Sequence, residues 1–268
     1  MVKLIKIKEV FCNLAIKAGK AIEDIRATNY QTQTKSDFSP VTEADFAANK
    51  IICDGLSQSF PEIPIVSEEG AQNFAQNLET GYFFLIDPLD GTRDFIDNGI
   101  EYTVNIALIH NALPIAGVVY APASGLFYYG DIESGAVFAN IENWEIGETH
   151  PIKAQKANAP MRIMVSRKHL DTKTRDFALS ISGAITLPLG SSLKLCKIAC
   201  GEGDLYPRFG PTSQWDIGAG QAVLMAAGGK ILVETGDFLK YGEKNADGTL
   251  KLNPNFIACG DFDPPKFK

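Results

Sequence analysis

The sequence predicts a layered α/β chain of two lobes, with helices first, strands in the middle, and strand–helix alternation at the end. Three observations carry this expectation. Residues 4–25 repeat apolar side chains at a helical period. Residues 82–138 hold short apolar runs cut by turn signals. Residues 161–259 alternate strand-like and helix-like segments. The 268 residues suit one large two-lobed domain, with lobes of about 1–150 and 151–268 meeting where residues 143–159 turn polar.

The elements follow in order. Leu4, Ile7, Val10, Phe11, Leu14, Ala18, Ile22 and Ile25 define an amphipathic helix reaching about Arg26. Polar residues 28–39 read as a loop. Residues 42–60 read as a second helix, with Ala44, Ala47, Ala48, Ile51, Ile52 and Leu56 inward and Pro61 beyond its end. Residues 63–67 form a short strand that runs into Glu68-Glu69-Gly70, and 82–86 a buried strand that stops at Asp87-Pro88. Residues 102–110, 113–120, 125–129 and 135–138 read as an antiparallel meander, and 143–159 as an exposed connection. Beyond it come strands at 161–166, 184–188, 204–206, 230–233 and 256–259, with helices at 191–199 and 215–227.

Composition narrows the function. Lys and Arg total 25 against 32 Asp and Glu, a formal net charge of −7, and no basic tract offsets it, so nucleic acid is excluded as a partner. The five Cys are odd in number and form no CxxC, which fits reduced, buried thiols. Cys196 and Cys200, one helical turn apart, read as a packed face. With three scattered His, a His-rich zinc or iron site is excluded, whereas an oxygen-ligand site for Mg²⁺ is not. The first residues are too short and too Lys-rich for a signal peptide, and no run of about 18 apolar residues predicts a membrane span.

The most informative segment is Leu85-Ile86-Asp87-Pro88-Leu89-Asp90-Gly91-Thr92. An apolar strand delivers Asp87, Asp90 follows, Gly91 lets the chain turn, and Thr92 opens a short helix over 92–96. Two carboxylates on such a turn can converge on hard cations. Alone, the pattern equally describes a helix cap and a turn. Glu68 and Glu69 at the preceding strand end, and Asp216 at a helix start after Trp215, add carboxylates that repel one another unless cations or protons neutralise them.

These motifs resemble the magnesium-dependent, lithium-sensitive phosphatase superfamily that includes inositol monophosphatase and fructose-1,6-bisphosphatase. The Glu-Glu strand end, the Asp-Pro-Leu-Asp-Gly-Thr loop and the Trp-Asp helix start occur in the same chain order. The similarity runs from Ser39-Pro40-Val41-Thr42-Glu43-Ala44-Asp45 to the last strand. It implies an αβαβα sandwich with the site where the lobes meet. Gly190-Ser191-Ser192-Leu193-Lys194 and Leu205-Tyr206-Pro207-Arg208-Phe209-Gly210-Pro211 make the second half most similar to the CysQ-type 3′(2′),5′-bisphosphate nucleotidases.

The resemblance implies a small phosphorylated nucleotide, 3′-phosphoadenosine 5′-phosphate, cleaved to AMP and phosphate in connection with sulfate assimilation. It implies Mg²⁺ held by Glu68, Asp87 and the Leu89 carbonyl, and a second Mg²⁺ held by Asp87, Asp90 and Asp216. A third, weaker ion near Glu68 is a further position. Asp45 and Thr92 would orient the attacking water, with Glu68 contributing to catalysis. Substrate contacts would come from Glu68, Leu89, Asp90, Gly91, Thr92 and Asp216 on the reacting side. Ser191, Lys194 and Arg208 are donors for the second phosphate, since Arg offers a planar fork and Lys a point charge, and family comparison adds His169. Each has a plainer alternative: Thr42-x-x-Asp45 also fits a capping box, Lys194 a solvated helix position, and His169 a loop cap.

The metal loop does not separate a nucleotidase from an inositol monophosphatase or a sugar bisphosphatase. A non-catalytic nucleotide or cation sensor is the alternative from another class, disfavoured by the hydroxyl of Thr92. A cytoplasmic location is expected, free or peripheral on the inner membrane face, and a homodimer is left open.

Overall fold

The computed structural model describes residues 2–35, 39–70, 78 and 81–267. Helix α1 (Leu4–Arg26) and helix α2 (Glu43–Ser59) flank a small antiparallel hairpin, β1 (Thr32–Thr34) with β2 (Pro40–Thr42). Strand β1 lies within the stretch read as a loop, and β2 follows just beyond it, ending at Thr42, where the sequence predicts the second helix to start. Both strands are too short, and β1 too exposed, to leave a period-two pattern. Residues 36–38 of that stretch lie outside the described residues.

Strands β3 (Ile65–Ser67) and β4 (Tyr82–Asp90) pair in parallel. After the short helix α3 (Thr92–Ile96), the meander appears as β5 (Thr103–His110), β6 (Leu113–Ala121), β7 (Leu126–Asp131) and β8 (Gly135–Glu142), all antiparallel. Strand β4 does not stop at Pro88 as the sequence suggests. The pairing jumps from Asp87 opposite Asn105 to Asp90 opposite Thr103, so Pro88 sits in a bulge where no ladder N–H is required. The polar connection also holds edge strands β9 (Glu145–Ile146) and β10 (His150–Ile152), both paired to β8. Their exposed residues are those of a sheet margin with one solvated face.

Between Ile152 and Arg162 the chain passes to a second sheet. It comprises β11 (Arg162–Ser166), β12 (Ile185–Leu189), β13 (Leu205–Arg208), β14 (Lys230–Val233) and β15 (Phe256–Cys259), in the order β12-β11-β13-β15-β14. Helix α4 (Thr172–Ser180) has no counterpart in the sequence reading; its surface is polar, and only Thr174, Phe177 and Ala178 are buried. Helices α5 (Leu193–Ala199) and α6 (Trp215–Ala226) complete the fold.

Alternating side chains sort the elements into five layers. On β4, Phe84 and Ile86 join α1 and α2, while Phe83 and Leu85 face α5 and α6. On β11, Met164 faces α5 and α6, while Ile163 and Val165 pack on Phe177 and Ala178 of α4. The order is helices, sheet, helices, sheet, helix, which is the αβαβα sandwich. Helix α6 is apolar on nearly every side because both sheets enclose it. It lies unusually close to the first sheet. A Cβ at Gly117 would sit 2.7 Å from the Ala219 carbonyl, and one at Gly130 would sit 2.8 Å from the Val223 Cα. Only glycine permits that approach. Among the described residues, no helix is long and apolar enough to cross a membrane.

Candidate active site

Strand pairing brings the first acids together. Ser67 lies opposite Ile86, and the Glu68 N–H donates to the Ile86 carbonyl at 3.1 Å, which sets Glu68 beside Asp87. Their side chains are in hydrogen-bonding contact. The bulge after Asp87 then turns Asp90 toward the same space, with the Leu89 N–H donating to Asp87 Oδ1 at 3.1 Å. Asp216 arrives from the first turn of α6, where its Oδ2 accepts the Ser213 N–H at 2.9 Å. One hydroxyl links these elements. Ser192 Oγ accepts from Asn105 Nδ2 at 2.9 Å and lies 2.7 Å from the Asp216 carbonyl and 3.2 Å from Asp90 Oδ2.

Glu68, Asp87, Leu89, Asp90, Gly91, Thr92 and Asp216 all line one cavity of about 370 Å³ between the two sheets. Burial pushes the carboxyls of Asp87, Asp90 and Asp216 above the usual range. The charges of Glu68, Asp90 and Asp216 add to this at Asp87, while Lys194 and Ser192 oppose it at Asp90. The donors are all oxygens, and the group is electrostatically unsatisfied without protons or cations, so it fits hard divalent ions. Among the described residues, no three His, Cys, Asp or Glu side chains are already gathered around a single metal position. Lys35 is paired to two of the acids, its Nζ bonding Glu68 at 2.7 Å and Glu69 at 2.5 Å.

Thr92 stands at the cavity edge. Its hydroxyl has two acceptors, Asp45 Oδ1 at 3.0 Å and the Leu89 carbonyl at 3.2 Å. Asp45 is buried, and its other oxygen accepts the Thr42 N–H and hydroxyl at 2.7 and 2.6 Å, a capping box for α2. Both meanings of the Thr-x-x-Asp pattern are therefore present in one carboxylate. Burial raises its pKa, against the pull of the Thr42 and Thr92 bonds.

The opposite wall is cationic. His169, Ser191 and Arg208 line the main cavity, as do Arg93, Arg167 and Lys168. Lys194 is buried, bonds the Ser191 carbonyl, and lines a smaller adjoining chamber of about 100 Å³. Burial lowers Lys194 to about 8, with Asp90 pulling the other way. Arg208 donates to the His169 and Pro211 carbonyls at 2.7 and 2.9 Å. Among the described residues, the Arg208 Nε and the Ser191 Oγ are buried with no partner, two polar atoms available to a ligand.

Residues 3–258 match the sequence profile of the inositol monophosphatase family. This chain belongs to that family. Among inositol monophosphatase family relatives, the Salmonella typhimurium protein named 3′(2′),5′-bisphosphate nucleotidase CysQ is 39% identical over 252 residues, covering 92% of this chain and 97% of the other. The protein of the same name from Escherichia coli K12 is 38% identical, covering 91% and 96%. The crystal structure of CysQ from Bacteroides thetaiotaomicron superposes with a TM-score of 0.80 at 31% identity, covering 95% and 97%. The Thermotoga maritima IMPase gives 0.72 at 26% identity, covering 93% and 90%. The chain is thus an inositol monophosphatase family member close to CysQ.

For this family member, several residues in and beside the cavity escaped the sequence reading. Lys35 sits in the polar hairpin with no motif around it. Glu101 accepts two bonds from Arg167, at 2.8 and 2.6 Å, and one from the Gly190 N–H at 2.7 Å, so it ties the rims of both sheets. Nothing in the sequence marks that triangle, because its corners lie far apart along the chain. Ser192 was legible only as a neighbour of Ser191.

Proposed function

We propose that the protein is a Mg²⁺-dependent 3′(2′),5′-bisphosphate nucleotidase. It hydrolyses 3′-phosphoadenosine 5′-phosphate to AMP and phosphate in connection with sulfate assimilation, in the cytoplasm or on the cytoplasmic face of the membrane. The observation that carries this reading is one cavity with a carboxylate floor and a cationic wall. The likeness to proteins named as such nucleotidases supports it.

Glu68, Asp87 and the Leu89 carbonyl would hold one Mg²⁺, and Asp87, Asp90 and Asp216 a second. Glu68, once released by Lys35, would serve a third and weaker position. When bound, the ions lower the pKa of a coordinated water and stabilise charge on the leaving oxygen. The chain's own residues do the rest. The Thr92 hydroxyl donates a hydrogen bond to Asp45, which turns an oxygen lone pair toward the cavity to accept a hydrogen bond from the attacking water. The Thr42 N–H and hydroxyl hold the other oxygen of Asp45, which fixes the carboxylate behind that hydroxyl. The water oxygen bonds phosphorus as the P–O3′ bond breaks, and a water proton ends on O3′ beside Asp216. Ser191 Oγ and Arg208 Nε would bind the nucleotide through their unpartnered atoms, with His169 alongside and Lys194 adding charge from beneath.

A side-by-side phosphate-release assay tests this, using 3′-phosphoadenosine 5′-phosphate, inositol 1-phosphate and fructose 1,6-bisphosphate with Mg²⁺. The nucleotide is expected to be fastest, with inhibition by Li⁺ and Ca²⁺. Faster cleavage of inositol 1-phosphate would overturn the substrate assignment. Tight nucleotide binding with no Mg²⁺-dependent release would leave a sensor in its place.

A further inference from the structure

The cations around the cavity are not equally available. Lys35 is held by Glu68 and Glu69. Arg167 is clasped by Glu101 and also donates to the Pro188 carbonyl at 3.0 Å. Lys168 bonds Asp97 at 2.6 Å and the Arg93 carbonyl at 3.2 Å. Arg208 has two of its nitrogens on backbone carbonyls, and Lys194 lies buried over the Tyr206 ring. The Arg93 side chain differs. It is exposed, it lines the main cavity, and it has no hydrogen-bond or ion-pair partner among the described residues.

Its root is nevertheless fixed. Arg93 directly follows Thr92, at the reacting end of the cavity. Its carbonyl is held by Lys168 from the second half of the chain, and the next residue, Asp94, accepts the Glu101 N–H at 2.7 Å. An unpartnered guanidinium on an anchored backbone can reach a ligand without rearranging the fold.

We propose that Arg93 is the specificity-determining contact for the second phosphate of the substrate. This inference rests on the nucleotidase reading above. A bisphosphate substrate places the phosphate under attack on the acidic floor, and that floor repels the other, which must meet the opposite wall. There Arg208 and Lys194 are largely engaged, whereas Arg93 offers a whole guanidinium fork, the geometry that suits phosphate. His169 marks the same wall: burial depresses its pKa, and Arg208, Arg93, Lys194 and Lys168 depress it further. A positive surface of this kind on a chain of net charge −7 is local and directed.

The test compares 3′-phosphoadenosine 5′-phosphate with 3′-AMP, which carries the same reacting phosphate and lacks the second. The wild-type enzyme is expected to prefer the bisphosphate. In Arg93→Gln the ratio of the two kcat/KM values should fall about tenfold or more, as for loss of a charge-assisted hydrogen bond, with the change mainly in KM. Arg93→Lys should restore part of the ratio, because it returns the charge without the fork. An unchanged ratio in Arg93→Gln, with the wild-type preference intact, overturns this inference alone. A wild-type enzyme that hydrolyses neither nucleotide removes the parent reading and this inference with it.

Discussion

Asp45 and Thr92 meet across the chain, Thr92 Oγ1 at 3.0 Å from Asp45 Oδ1, while the remaining oxygen of that carboxylate secures Thr42 at the start of α2. The two oxygens divide two tasks. Asp45→Asn places an amide N–H₂ where one of these donors now bonds. It should cost about 1 kcal/mol of stability through the cap and about 100-fold or more in turnover through Thr92. Thr42→Ala should show the stability loss while retaining most turnover. Thermal unfolding and steady-state rates on the two variants separate the tasks.

The carboxylate floor makes stability depend on metal. Asp87, Asp90 and Asp216 are held close together with raised pKa values, so their charged forms strain the fold at neutral pH. Added Mg²⁺ should raise the thermal midpoint, as any ligand of the folded state does. Asp216→Asn should be more stable than the wild type without metal and gain far less from Mg²⁺. Differential scanning calorimetry with chelator and with Mg²⁺ reads both effects. An equal Mg²⁺ response in the variant would remove Asp216 from the ion site.

The Glu101–Arg167 pair acts on the rim. Burial opposes ionisation of Glu101, but the Arg167 and Gly190 bonds outweigh it and hold the carboxyl below its usual value. Arg167 is half exposed, so Arg167→Ala should cost less than about 1 kcal/mol. Glu101→Gln weakens the Gly190 anchor as well, and should reduce kcat/KM several-fold by loosening the Gly190-Ser191 turn. A double-mutant cycle should show the pair coupled in activity more than in stability.

Away from the site, Asp204 is a buried carboxylate with much to lose in acid. It accepts from the Arg162 backbone N–H at 2.7 Å, from the Arg162 side chain and from Asn158 at 2.8 Å. Burial would raise its pKa, yet these bonds lower it. A lowered folded value means stability that is present above the unfolded value of about 3.9 and lost as pH falls through the folded one. Asp204→Asn should destabilise by about 3 kcal/mol at pH 7. The gap from wild type should persist down to about pH 4 and close below it, as followed by unfolding midpoints across pH.

What could be read in advance divides along one physical line. Contacts set by neighbours in sequence were legible: the helical period of α1, the meander, and the turn carrying Asp87, Asp90 and Thr92. The approach of Glu68 to Asp87 was legible too, because strand pairing needs only register. Pro88 misled, since its missing N–H marks either a strand end or a bulge, and only the Asn105 and Thr103 pairing distinguishes them. Helix α4 was hidden by its polar sequence, with few residues facing the sheet. Lys35 on Glu68 and Glu101 on Arg167 depend on tertiary docking alone. Neither charge sits in a motif, and among 25 basic and 32 acidic residues nothing selects the partners.

The bare backbones at Gly117 and Gly130 carry a last implication. They determine how deeply α6 beds against the first sheet, and α6 carries Asp216 at its leading end. A methyl group at either position would act as a shim, lifting the helix and displacing that carboxylate while every ligand kept its identity. Ion affinity in this scaffold can therefore drift under selection through spacer residues that no ion ever touches.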